Sequence, residues 1–197
     1  MRAMGMFTAI NRFIVNCSHS WFKFLLIVLA FGGTMFGLQN ITAAFPDVTN
    51  GDVPFDMQND LQPDEVFTQL AGYSEQAFSL YAQFQVIAYF FPIAAGLMLA
   101  VICAFALRVA SPARYSQANN KNLFILLLIP TVFDWLENIF LLWAVSAWPN
   151  QATQAATLAV AAKMGKLGTM QIAFAVTGAL LLWALIAWLR RRLAGTA

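Results

Sequence analysis

Charge is scarce in this chain. Of 197 residues, eleven are lysine or arginine and nine are aspartate or glutamate, so 10% are charged. A soluble domain carries about a quarter charged residues, and the 60% hydrophobic content points to an integral membrane class. Histidine occurs once, at His19, which excludes a bis-histidine haem and a histidine-rich metal site within the chain. The residue reads as interfacial, beside Trp21. Cysteine occurs twice, at Cys17 and Cys103, with no C-x-x-C, so a disulfide framework is excluded and free thiols are expected. There is no HExxH, no GxSxG, no cysteine–histidine pair, no phosphate loop and no DNA-reading module. Any enzymatic chemistry would fall to carboxylates or lysines; no metal and no cofactor is expected. The alternation of a membrane β-barrel is also missing.

What the chain does have is four apolar stretches, each able to cross a bilayer, which takes about 20 residues of helix. They are placed at 22–41, 84–107, 123–148 and 167–189. The expected fold is an all-α membrane protein, a four-transmembrane-helix bundle forming a single integral domain over 1–197. Nine basic residues (Arg2, Arg12, Lys23, Arg108, Arg114, Lys121, Arg190, Arg191 and Arg192) fall at one end of that plan, with no acid among them. Seven of the nine acids (Asp47, Asp52, Asp56, Asp60, Asp64, Glu65 and Glu75) fall in the loop 42–83. The positive-inside rule then puts both termini in the cytoplasm and the acidic loop outside, as a small extracytoplasmic cap. The first span reads as an uncleaved signal-anchor, because more than twenty residues precede it and Thr42-Ala43-Ala44 is a poor cleavage site. Topology accounts for the basic residues, so no nucleic-acid partner is expected. Membrane lipids are, with a membrane-protein partner or a second copy of the chain as further candidates.

Local signals refine the plan. Met6, Phe7, Ile10, Phe13 and Ile14 fall near one face of a short helix that would lie on the cytoplasmic leaflet, with Arg2 and Arg12 at lipid phosphates; a frayed lead-in is the other reading. Gly33 and Gly37 make a small-xxx-small step in the first span, which Gln39 and Asn40 are expected to end. Pro63-Asp64-Glu65 starts a short helix that stops at Gly72. Ser74 caps a second helix that continues to Arg108, with a kink expected at Pro92. Phe67, Tyr73, Phe78 and Tyr81 would pack the cap. Residues 111–122 read as a plain polar turn. Pro130 is expected to free the carbonyl of Leu126. Residues 151–166 are rich in alanine and can carry the fourth helix outward.

One cluster hints at chemistry. Asp134, Glu137 and Asn138 stand at i, i+3 and i+4 inside the third span, so a helix points all three the same way. A central Asp costs roughly 2.5–3.5 kcal/mol on insertion scales, so the cluster must face a protein interior, a water-filled cavity or a cation. Lys163 and Lys166 are the basic residues expected outside, and they share a helical face with Thr177. Lys166 lies roughly 18 Å above the centre of the fourth span at 1.5 Å per residue. It would reach Glu137 only if that helix shifts inward or a cavity opens. A cavity lined by Asp134, Glu137, Asn138, Lys163, Lys166, Thr177, Gln85 and Tyr89 is therefore expected. It would bind a lipid or small amphiphilic ligand, with Asp134 and Glu137 as the pair available for acid–base catalysis. Two alternatives stand beside it. The chain is an accessory or scaffolding subunit whose cluster is polar glue, at about 0.6 kcal/mol per hydrogen bond; or the carboxylates belong to a proton or cation pathway.

Gly72-Tyr73-Ser74, a proline in the middle of the next helix, and Pro130 followed by Phe133-Asp134-Trp135-Leu136-Glu137-Asn138 resemble a group of small four-helix bacterial membrane proteins. The resemblance covers the second to fourth spans and centres on the P-x-x-F-D-x-x-E-N run. It implies the four-helix fold and a focus on the third span, and no particular reaction; the expected location is a bacterial inner membrane. The layout also invites comparison with claudin-type proteins, but their Trp-Gly-Leu-Trp run and paired loop cysteines are missing.

Overall fold

A computed structural model describes residues 5–194, and among these every regular element is helical. Seven α-helices succeed one another: α1 Met6–Ser18, α2 Trp21–Ala44, α3 Pro63–Leu70, α4 Glu75–Ala110, α5 Pro112–Asn120, α6 Ile129–Ala147 and α7 Thr153–Ala194. Four helical stretches are long and apolar enough to cross a membrane: α2, α4, α7, and α6 together with the 3-10 segment Leu123–Leu128 that leads into it. Arg2 lies outside the described residues.

Capping explains several boundaries. Ser74 Oγ accepts from the backbone N–H of Ala77 at 3.1 Å and starts α4, as the sequence predicts. Glu65 closes the first turn of α3 by accepting from the N–H of Gln62 at 2.8 Å. The expected plain turn at 111–122 is instead a helix, α5, because Ser111 takes the N-cap and Pro112 the first helical position. Asn122 then reverses the chain at φ 55°, a left-handed conformation that asparagine tolerates. Gln39 and Asn40 do not end α2, which runs on to Ala44 with both side chains exposed. Pro130 sits in the first turn of α6, not its interior. The carbonyl of Leu126, expected to be free, accepts from the N–H of Ile129. The tighter 3-10 winding before Pro130 re-pairs what an α-helix would have left open.

The helices are not equivalent. α4 lies centrally, packed against α2 on one side and against α6 and α7 on the other. Of its most apolar window 44% is buried, against 11% for α2, which leans on α4 and α1 and leaves the rest of its circumference exposed. Of the predicted glycine step, Gly37 faces Ile87 of α4, whereas Gly33 has open space around it. Gly165 of α7 lets Phe133 of α6 approach so closely that a Cβ would stand 2.5 Å from its ring. α1 does more than present an apolar face. Met6, Phe7 and Phe13 are exposed, while Asn11, Ile14 and Cys17 are buried against the bundle. Asn11 is fastened to Asn119 of α5 at 2.9 Å. α4 continues unbroken through Pro92.

The 45–74 segment folds back onto the ends of the helices. Phe45, Phe55, Val66, Phe67 and Leu70 are buried with Tyr81 and Phe84 of α4, and Tyr73 stacks on Phe55 with ring centroids 5.6 Å apart. The predicted Phe67, Tyr73, Phe78 and Tyr81 all belong to this aromatic core, with Phe45 and Phe55 added. Gln58 and Gln69 exchange two amide hydrogen bonds of 2.9 Å, which ties the turn around Phe55 to α3.

Candidate functional site

The register of α6 and α7 assembles the site. The two helices run antiparallel from a short connection at 148–152. Glu137 lies ten residues before the end of α6 and Lys163 ten residues after the start of α7. Asp134 and Lys166 are each thirteen residues from the same connection. At 1.5 Å per residue both pairs sit level, about 15 and 20 Å below it. The distance expected to separate Lys166 from Glu137 vanishes because the short connection at 148–152 slides α7 along α6 until the lysines stand level with the carboxylates.

Each group then finds a partner. Lys163, 2% exposed, donates its three N–H groups to the carbonyls of Phe55 and Gln58, both at 2.6 Å, and to Glu137 Oε1 at 3.1 Å. Glu137 is wholly buried and also contacts Lys166 through Oε2. Lys166 lies 3.7 Å from Asp134 Oδ2. Asn138, wholly buried, donates to Asp134 Oδ1 at 3.0 Å and to the carbonyl of Ala88 at 3.3 Å. That second acceptor has a covalent cause. Pro92 lacks the N–H that would bond the carbonyl four residues earlier, which is Ala88. The proline of α4 thus opens a docking point that Asn138 of α6 fills, and in doing so it orients Asp134. Thr131 adds a 2.7 Å bond to the carbonyl of Pro92 itself.

Sequence reasoning missed Asp56. It looked like one acid among seven in a solvated loop. The 3-10 turn Phe55–Met57, anchored by wholly buried Phe55, carries its carboxyl down onto α4. There Oδ2 accepts from Gln85 Nε2 at 3.1 Å and from Tyr81 Oη at 3.4 Å. Gln85 also donates to Tyr81 Oη at 2.8 Å. Parts of the residue are accessible, but Oδ1 is enclosed. Burial first, then the negative charges of Glu137 and Asp134, push the Asp56 carboxyl up to about 7, against the pull of the two lysines. The apolar run V-P-F just before Asp56 was the available signal: a loop that buries a phenylalanine draws its neighbour in the chain inward as well.

The structure brings together Asp134, Glu137, Asn138, Lys163, Lys166 and Gln85 of the expected site. Thr177 is elsewhere, eleven residues further along α7, bonding Cys103 Sγ at 3.2 Å and the carbonyl of Ala173 at 2.7 Å. Sharing a face with the lysines was not enough, since α7 is far longer than the site is deep. Tyr89 is half-buried, and it is its backbone carbonyl that accepts, from Trp135 Nε1 at 2.9 Å.

Two features define what the cluster can do. Three carboxyls face two ammonium groups, so the fully ionised set carries one excess negative charge. In addition, Asp56 Oδ1, Gln85 Oε1 and Asn138 Oδ1 are buried acceptors without a donor. At one edge of the cluster the Asp134 and Lys166 side chains remain 18% and 13% exposed. Glu137 is enclosed between two lysines, whereas the Asp134 side chain keeps part of its surface exposed. Among the described residues no group of histidine, cysteine and acid side chains is arranged to hold a metal ion. No protein-family model, curated protein or solved structure matches this chain, so the geometry alone carries the functional reading.

Proposed function

We propose that the chain is an integral protein of a bacterial inner membrane, with both termini cytoplasmic and the 45–74 segment outside. In this reading the cluster of Asp56, Asp134, Glu137, Asn138, Lys163 and Lys166 is a binding site for a small or amphiphilic ligand entering at the Asp134 edge. The observation that carries the reading is the unmatched negative charge. One surplus negative charge beside the partly exposed Asp134 carboxylate calls for a group that is positive and carries N–H donors. A protonated primary amine, as on an aminolipid headgroup, meets both demands. Asp134 then forms the ion pair, Asn138 holds it in place, and Glu137 keeps the two lysines from competing for the ligand's position. Asp134 is also the group available for acid–base chemistry on such a ligand.

The test is thermal stabilisation of the full chain in nanodiscs by octylamine, against octanol as the neutral control. Octylamine stabilisation that is abolished by Asp134→Asn, with the variant still folded, supports the site. Equal response to amine and alcohol eliminates it, and failure of Asp134→Asn to insert or fold assigns the cluster an architectural role.

A second reading has its own support. The Asp56 carboxyl, raised to about 7 by burial and by its acidic neighbours, can take up the balancing charge as a proton near neutral pH. The network would then be a reversible proton site. Proton uptake into liposomes under an imposed gradient, unchanged by Asp56→Asn, removes this reading.

A further inference from the structure

At the opposite end of the molecule, the elbow between α1 and α2 closes over α4 and forms a pocket of about 450 Å³, within the range of small-molecule and lipid sites. Its walls are Phe24 of α2, Ile102 and Phe105 of α4 and Leu181 of α7, with Ser18 and Arg108 at the polar end. The Arg108 guanidinium donates through Nη2 to the carbonyl of Ser18 at 2.8 Å and lies 5.6 Å from the Phe105 ring centre. Its Nη1 is enclosed and has no acceptor. A charged donor shut away without a partner is costly, so the pocket lacks an anion that the protein does not provide. The chain cannot easily provide one: residues 1–46 and 76–133 contain no aspartate or glutamate. A second cation, exposed Lys23, lies close enough to influence the Cys17 thiol at the same elbow. His19 adds no compensating negative charge; burial and the Arg108 charge both push its imidazole down toward the neutral form.

We propose that this pocket binds one anionic phospholipid of the adjoining leaflet, its phosphate against the Arg108 guanidinium at the polar end and the start of an acyl chain along Phe24, Ile102 and Phe105. The choice of a lipid over a free anion rests on the walls: a cationic end joined to an apolar trough matches a charged head joined to a chain. The inference rests on the membrane placement proposed above, not on the Asp134 site.

The experiment is native mass spectrometry of the full chain released from nanodiscs of equal phosphatidylglycerol and phosphatidylcholine. One phosphatidylglycerol retained per protein is expected, with retention falling about tenfold in Arg108→Gln, the effect of losing one charged hydrogen bond. Ile102→Trp, which leaves Arg108 and the elbow intact and fills the trough, is expected to lower retention similarly. Equal retention of both lipids, unchanged retention in Ile102→Trp, or displacement by inorganic phosphate alone would each overturn the proposal. Resistance of the chain to carbonate extraction is scored separately, so a failure of membrane placement is told apart from a failure of the pocket.

Discussion

The two ends of this helical array treat enclosed charge in opposite ways. Around Glu137 the protein supplies both signs: the Glu137 and Asp134 carboxyls of α6 meet ammonium groups from α7, and backbone carbonyls of the Phe55 turn take the remaining donors. Around Arg108 it supplies only cations, and an enclosed guanidinium nitrogen is left without an acceptor. The first end is sensitive to any change in its own side chains. The second is sensitive to what surrounds it. The difference arises from where the acids are placed along the chain, and it can be broken or sharpened by substitution.

The largest effect is expected at Glu137. Replacing it with Gln removes the one carboxylate that both lysines contact and leaves buried Lys163 with only neutral acceptors, at a cost of about 3–5 kcal/mol. Unfolding in mixed micelles measures it, and the double variant Glu137→Gln with Lys163→Met is expected to recover part of the loss. Equal losses in the single and double variants would mean that charge pairing is not what holds this end.

Asp56 comes next. Its carboxyl titrates near 7 when folded and near 3.8 when free, so the folded form holds a proton that the unfolded form has released. The stability it contributes is complete below about pH 3.8 and is lost as pH rises toward 7, with a slope approaching about 1.4 kcal/mol per pH unit. Asp56→Asn should flatten that part of the pH profile. A variant whose unfolding midpoint falls as steeply as the wild type between pH 5 and 7 would contradict the assignment.

Arg108→Gln, read in micelles without anionic lipid, should cost less than the roughly 1.5–3 kcal/mol of the charged hydrogen bond to Ser18, because the unpartnered Nη1 is removed with it. If it costs as much as Glu137→Gln, the contrast between the ends fails. The smallest effect tests the proline. Asn138→Ala should cost about 0.6 kcal/mol less in a Pro92→Ala background, where α4 can bond the Ala88 carbonyl itself. An additive double variant would show that Pro92 does not prepare the dock.

Much of this arrangement was legible from local signals. Hydropathy marked the four spans, Ser74 and Pro63 marked helix starts, and two carboxylates inside an apolar run marked the place that needed partners. Those properties depend on a few neighbouring residues, and a helix obeys them wherever it sits. Even the dock at Ala88 was implicit in Pro92, since a missing N–H always frees a carbonyl four residues back.

Lys163 and Lys166 were already among the residues expected at the site, but which contacts they make was not legible. Lys166 meets Glu137 because the short 148–152 connection sets α7 level with α6, and Asp56 joins the network because Phe55 is buried by residues from α4 and the 45–74 segment. The peripheral place of α2 and the removal of Thr177 from the site have the same origin. Each depends on register and packing between segments far apart in the chain, where small shifts of one helix along another move a charge by several ångströms. Hydropathy says that a carboxylate must have company; only the packed helices choose which lysine, which turn and which carbonyl provide it.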